Sequence, residues 1–194
     1  MRTAEITRNT NETQIKASWN LDEAGASQIS TGVGFLDHML TLLSGHSCTT
    51  LKIEAKGDTY VDCHHTVEDV GIVLGALLKE AAGDKKGIKR YGSFTLPMDE
   101  ALVQVNIDFG GRPYIVFNAD MPKVRLGDFD TEMTEEFFRA VAFNAGMTLH
   151  VNLVYGSNCH HIIEGMFKAF AHTLKEAVTV DDKISGVLST KGVM

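Results

Sequence analysis

One short pattern occurs twice in this chain of 194 residues and constrains the fold more than any other feature. Cys63-His64-His65-Thr66-Val67-Glu68 reads C-H-H-T-V-E, and Cys159-His160-His161-Ile162-Ile163-Glu164 reads C-H-H-I-I-E, 96 positions later. A chain that repeats itself in register over half its length folds as two copies of one supersecondary unit. On a helix His64 and Glu68 lie four apart on one face, as do His160 and Glu164, while His65 and His161 stand three before the same glutamates. Neighbouring histidines diverge by about 100° around a helix, so each pair suits two metal ions better than one. The arrangement suggests a dinuclear site.

The order of elements repeats as well. Strands are expected at Ile6 to Arg8, Thr13 to Trp19 and Gln28 to Ser30, followed by a helix from Gly32-Val33-Gly34 through Leu43. A strand from Thr49 to Lys56, the Gly57-Asp58 turn and a long helix from Thr66 to Ala82, closed by Gly83, complete the first half. The second half has strands at Tyr91 to Leu96, Leu102 to Phe109 and Tyr114 to Ala119, a linker with Pro122 and Gly127, and a helix from Thr134 to Ala145. A strand from Thr148 to Val154 and a long helix from His161 to Val178 follow. Aligning the halves sets His46 opposite His150, each after the shorter helix and at the start of the next strand, with eight extra residues absorbed near Gly57-Asp58. The expected fold is α+β, with half-repeats at residues 1–87 and 88–194, each a four-stranded sheet with two helices. Packing the apolar helix faces inward sandwiches the helices between the two sheets.

With 44 % hydrophobic residues, the chain can bury a core. A net charge of −7, from 25 acidic and 18 basic residues, argues against a nucleic-acid or anionic-membrane surface. No apolar run approaches the roughly 20 residues of a membrane span, and the first residues lack a signal-peptide core, so a cytoplasmic protein is expected. Cys48, Cys63 and Cys159 are expected as free thiols, the latter two packed as small hydrophobes.

Eight ligand candidates follow from the repeat: His46, His64, His65 and Glu68, and His150, His160, His161 and Glu164. Divided between two metals they would leave positions open for substrate or water. Imidazole and carboxylate without thiolate suit manganese, iron, cobalt, nickel or zinc. His38 lies on a polar helix face, open to either solvent or a pocket. His172 reads as an ordinary helix residue. Arg90, Arg112, Lys168 and Lys191 flank these elements, and Ser189-Thr190-Lys191-Gly192 offers hydroxyl, amide and ammonium donors to a phosphate. Read from residues alone, the chain could also be a dinuclear hydrolase of a phosphate ester; a metal-assembled scaffold would show such ligands without the anion-clamp candidates that this chain has.

The chain resembles the imidazoleglycerol-phosphate dehydratases of histidine biosynthesis. The resemblance rests on N-T-N-E-T at residues 9–13, TGVGFLDHML at 31–40, DCHHTVED at 62–69, R-Y-G at 90–92, G-R-P-Y at 111–114, NCHHIIEGMFK at 158–168 and S-T-K-G at 189–192. It implies a duplicated sandwich of the ribosomal protein S5 domain 2-like kind, and two manganese ions per subunit held by the eight ligands above. It also implies a homo-oligomer of twenty-four subunits with sites between neighbours, and substrate contacts from Glu12, His38, Arg90, Arg112, Lys168, Ser189, Thr190 and Lys191. The chain departs from the family pattern at Leu188, where proline is frequent, and at Gly146, where arginine is common.

The implied reaction removes water from the glycerol chain of a small phosphorylated imidazole. If both ring nitrogens bound metal, the imidazole could be held as imidazolate, and its electron density could expel the neighbouring hydroxyl and so acidify the next C–H bond. Glu12 is expected to move that proton, with His64, Glu68, His160 and Glu164 forming the catalytic metal centre. Arg90, Lys168, Ser189 and Lys191 would hold the phosphate.

Overall fold

The computed structural model describes residues 1–192; residues 193–194 of the expected second half lie outside the described residues. Strands β1 (Thr3–Asn9) and β2 (Thr13–Asn20) form a hairpin, and β3 (Gln28–Ser30), helix α1 (Gly34–Ser47) and β4 (Thr50–Gly57) form a crossover that pairs β3 parallel to β4. Helix α2 (His64–Ala82) closes the first half. The second half repeats this plan: hairpin β5 (Tyr91–Met98) and β6 (Ala101–Asp108), strand β7 (Tyr114–Asn118), then a two-stranded insertion of β8 (Arg125–Leu126) and β9 (Phe129–Asp130). Helix α3 (Met133–Ala145), strand β10 (Thr148–Tyr155), parallel to β7, and helix α4 (Cys159–Val178) complete it. The sheets have the same order, β1-β2-β4-β3 and β5-β6-β10-β7. The fold is the duplicated α+β sandwich that the repeat implies.

Alternation decides which side of each sheet is buried. Ile15, Ala17 and Trp19 of β2, Leu51 and Ile53 of β4, and Val103, Val105 and Ile107 of β6 all point inward. The helices fill the middle layer, where Phe137 and Phe138 of α3 meet Phe167 and Phe170 of α4 at ring-centroid separations of 4.9–5.4 Å. Helix α2 lies parallel to α3, and α1 lies parallel to α4, as their residue-by-residue neighbours show: Gly71 and Gly75 face Phe137 and Val141, and His38 and His46 face Glu164 and His172. The amino ends of both pairs flank the β8–β9 insertion, where Cys159 Sγ approaches the Pro122 carbonyl and His64 lines a cavity with Lys123 and Thr131. Among the described residues, no helix is long and apolar enough to cross a membrane.

Two expectations need correction. Helix α1 runs one turn past Leu43, because Ser44 and Ser47 satisfy their hydroxyls locally, on the Thr49 and Leu43 carbonyls, and the helix closes at Cys48 in the left-handed region. The linker around Gly127 is a small hairpin, whose two-residue strands carry no readable period. Gly146, a departure from the family pattern, caps α3 with φ 68°, a conformation that arginine would adopt only under strain.

Candidate active site

The doubled motif places each histidine pair on the first turn of a long helix. Asn158 caps α4 by accepting from the His160 and His161 amides, and Asp62, its counterpart one residue before the α2 cap, accepts from the His64 amide at 2.8 Å. Cys63 and Cys159 are buried, and all three cysteines are free. Burial raises the Cys63 thiol, which keeps it protonated and inert.

At the amino end of α4, three groups converge. His160 Nε2 lies 3.2 Å and His38 Nε2 3.3 Å from Glu164 Oε2, and among the described residues these three form a cluster whose ligand atoms all lie within 4.8 Å of one another. His38 reaches it because Asp37, the preceding residue, accepts from both the amide and the hydroxyl of Thr31 and so locks the start of α1. Glu164 is only 6 % exposed. Burial works to raise its carboxyl, but the Lys168 ammonium and the hydrogen bonds from His38 and His160 outweigh it and hold the group below its ordinary range. Lys168, expected on the substrate phosphate, instead donates to Glu164 Oε1 one turn away.

The amino end of α2 is the related half-site. His64 Nε2 stands 3.8 Å from Glu68, and His65 Nε2 stands 3.8 Å from Glu12 of the β1–β2 turn. Glu136 of α3 lines a cavity of about 500 Å³ with His64, much as His38 of α1 meets His160. Glu136 was not singled out in the sequence; it lies in the first turn of α3, and only the pairing of α3 with α2 reveals it. Two further carboxylates also escaped sequence reasoning. His65 Nδ1 lies 3.0 Å from Asp58, and His161 Nδ1 lies 2.7 Å from Glu100. Those hydrogen bonds raise both imidazoles above their ordinary value, and the His161 bond draws Glu100 down to about 2.

Two expected ligands sit elsewhere. His46 is in the last turn of α1, with Nδ1 3.3 Å from His172 Nε2, and burial lowers both rings. His172 also stacks on Phe94 at 4.4 Å. His150 is the third residue of β10, beside Asn106 and Val116 in the sheet. The halves therefore align through their helix pairs and not through His46 and His150.

A cationic cavity of about 360 Å³ gathers Arg90, Arg112, Ser189, Thr190 and Lys191, five of the expected substrate contacts. Asp108 holds the Arg90 guanidinium at 2.6 Å, and Arg90 Nη1 donates to the Leu188 carbonyl, a backbone contact indifferent to the side chain at that departure. This cavity lies at the other end of the helices. The Arg90 amide donates to the Ala177 carbonyl near the end of α4, thirteen residues beyond Glu164, or about 20 Å of helix. Lys85, just beyond α2, sits over the Phe109 ring next to Gly110 of the cavity wall.

Fold and site together define an internally duplicated α+β protein with two imidazole–carboxylate half-sites and a separate cationic cavity. A family model described as imidazoleglycerol-phosphate dehydratase matches residues 31–174. The imidazoleglycerol-phosphate dehydratase of Listeria innocua is 60 % identical over 194 residues, spanning 100 % of both chains. That of Acetivibrio thermocellus is 59 % identical over 193 residues, 100 % of this chain and 99 % of its own. The crystal structure of the Staphylococcus aureus enzyme superposes with a TM-score of 0.84 at 49 % identity over 92 % of this chain and 99 % of that one. The Pyrococcus furiosus structure, a complex with (S)-C348, gives 0.85 at 33 % identity over 97 % and 100 %. The chain belongs to the imidazoleglycerol-phosphate dehydratase family and is a hydro-lyase.

Proposed function

We propose that the chain dehydrates D-erythro-imidazoleglycerol phosphate to imidazole-acetol phosphate, in histidine biosynthesis in the cytoplasm, at a site with two manganese ions per subunit. The observation that carries this reading is the convergence of His38, His160 and Glu164, in a chain that matches the family over its full length. The donor set fits the ion: nitrogen and oxygen ligands without thiolate suit a borderline-hard divalent cation, and Cys63 and Cys159 are turned into the interior. Residues to hold the cations are His38, His160 and Glu164 on one side, and His64, Glu68 and Glu136 on the other, with the Nε2 atoms of His65 and His161. His46 and His150 are left out of this set because they lie apart from both half-sites. When bound, the cations supply positive charge that favours the deprotonated form of the substrate's imidazole ring.

The chain's own residues do the rest. Dehydration breaks a C–O bond and a C–H bond on neighbouring carbons, releasing water and an enol that becomes the ketone. Glu12, exposed beside His65, is the base for the C–H proton. Arg90, Arg112, Ser189, Thr190 and Lys191 clamp the phosphate and fix which carbon faces Glu12. Lys168 keeps Glu164 ionised and ready as a ligand. The half-sites and the clamp lie at opposite ends of the helices, farther apart than a small substrate extends, which supports a homo-oligomer whose neighbouring copies complete each site.

The test is turnover of imidazoleglycerol phosphate by chelator-washed protein, with and without added manganese, followed by detection of the ketone. Metal-dependent ketone formation is expected. Absence of ketone from protein that has taken up manganese would overturn the reading.

A further inference from the structure

His65 and His161 are repeat mates, and each has its Nδ1 against a carboxylate: Asp58 at 3.0 and 3.2 Å, Glu100 at 2.7 Å. An ionised carboxylate only accepts, so in the neutral ring Nδ1 carries the proton and Nε2 is left with its lone pair. On the far side, each Nε2 faces a second carboxylate beyond hydrogen-bond range, Glu12 at 3.8 Å and Asp99 at 3.6 Å.

The two inner carboxylates do not come from equivalent places. Asp58 lies in the β4–α2 loop, where the first half has its extra residues, and Glu100 lies in the β5–β6 turn. The counterpart of that turn in the first half, between β1 and β2, supplies Glu12, which meets the other ring nitrogen. Duplication alone therefore does not account for the pairing; the same hydrogen bond is built twice by different segments. Both residues are themselves anchored. Glu100 Oε1 accepts from the Ser157 and Asn158 amides, and the Asp58 backbone is fixed on both sides, its amide donating to the Glu12 carbonyl and its carbonyl accepting from the Val61 amide.

We infer that Asp58 and Glu100 are positioning residues that fix the tautomer of His65 and His161, so that Nε2 of each ring is presented as a cation ligand. This rests on the assignment of both rings to the metal site above. A carboxylate behind a ligating imidazole sets ring orientation and strengthens the ring as a donor, and its loss commonly weakens metal binding about ten- to a hundredfold.

Two readouts on the full-length protein separate this inference from the reading beneath it. In metal-free protein labelled with ¹⁵N-histidine, ring-nitrogen NMR at alkaline pH, where the rings are neutral, reports the tautomers directly. Wild type is expected to show His65 and His161 protonated at Nδ1. Asp58→Ala should move only His65 toward the Nε2-protonated form, and Glu100→Ala only His161. Asp58→Asn and Glu100→Gln, which keep an accepting oxygen, should retain the wild-type tautomers. In the second readout, free manganese measured by electron paramagnetic resonance should show binding weakened about ten- to a hundredfold in the alanine variants and less in the amides. Unchanged tautomers in the alanine variants, or undiminished affinity alongside a wild type that binds, would overturn the inference. A wild type that binds no manganese while its tautomers respond as stated would instead remove the metal assignment.

Discussion

Glu12 is exposed, close to an imidazole and, among the described residues, in no ion pair with lysine or arginine, which suits a base that must meet a C–H bond. Glu12→Gln should leave folding and manganese binding intact and lower kcat by roughly a hundredfold or more, measured as ketone formation at saturating substrate. Wild-type turnover in this variant would reject the assignment. Lys85 presents a different balance, because its side chain is buried over Phe109 and burial lowers its pKa from 10.5. The folded chain therefore disfavours the charged amine, and that cost is complete at neutral pH and fades as pH rises from the lowered value toward 10.5. Lys85→Met should raise the melting temperature at neutral pH, with the gain shrinking as pH approaches 10.5; a gain independent of pH would contradict this origin. Single residues were legible in sequence where the motif carried them, as with His64, His160 and Glu164. They were not where a partner helix defines them: nothing local distinguishes His38 from a solvated residue, or Glu136 from a helix-start acid.

Among the elements, the contact between α2 and α3 tolerates change least. A Cβ at Gly71 would lie 2.9 Å from the Phe137 carbonyl oxygen, and one at Gly75 would lie 2.6 Å from that of Val141, so the two backbones meet with no room for a methyl group. Gly75→Ala should destabilise the chain by about 1–3 kcal/mol, read as a lower urea midpoint, because backbone cannot move aside as a side chain would. The α1–α4 contact differs in kind: α4 offers His160, Glu164, Lys168 and His172 at every fourth position toward His38 and His46. Periodicity read the long helices and the strands β2, β4 and β6 correctly, since burial follows alternation there. It failed at the end of α1, where serine hydroxyls satisfied by nearby carbonyls let the helix continue, and at β8–β9, which is too short to have a period.

For the whole molecule, the parallel helix pairs set the functional geometry, since they send both histidine motifs to one end and the cationic cavity to the other. The duplication was plain in sequence because the motif marks it twice. The separation of half-sites from clamp was not, because chain order says nothing about which helix end each loop reaches. If neighbouring copies complete each site, two inactive chains can rescue one another. The measurement that tests this most directly is ketone formation by a co-assembled mixture of His160→Asn, which disables a half-site, and Lys191→Ala, which disables the clamp. With each parent variant nearly inactive, the mixture should recover roughly a quarter of the wild-type rate, the chance that a shared site draws both parts intact. A mixture as inactive as its parents, despite verified co-assembly, would contradict a site shared between copies.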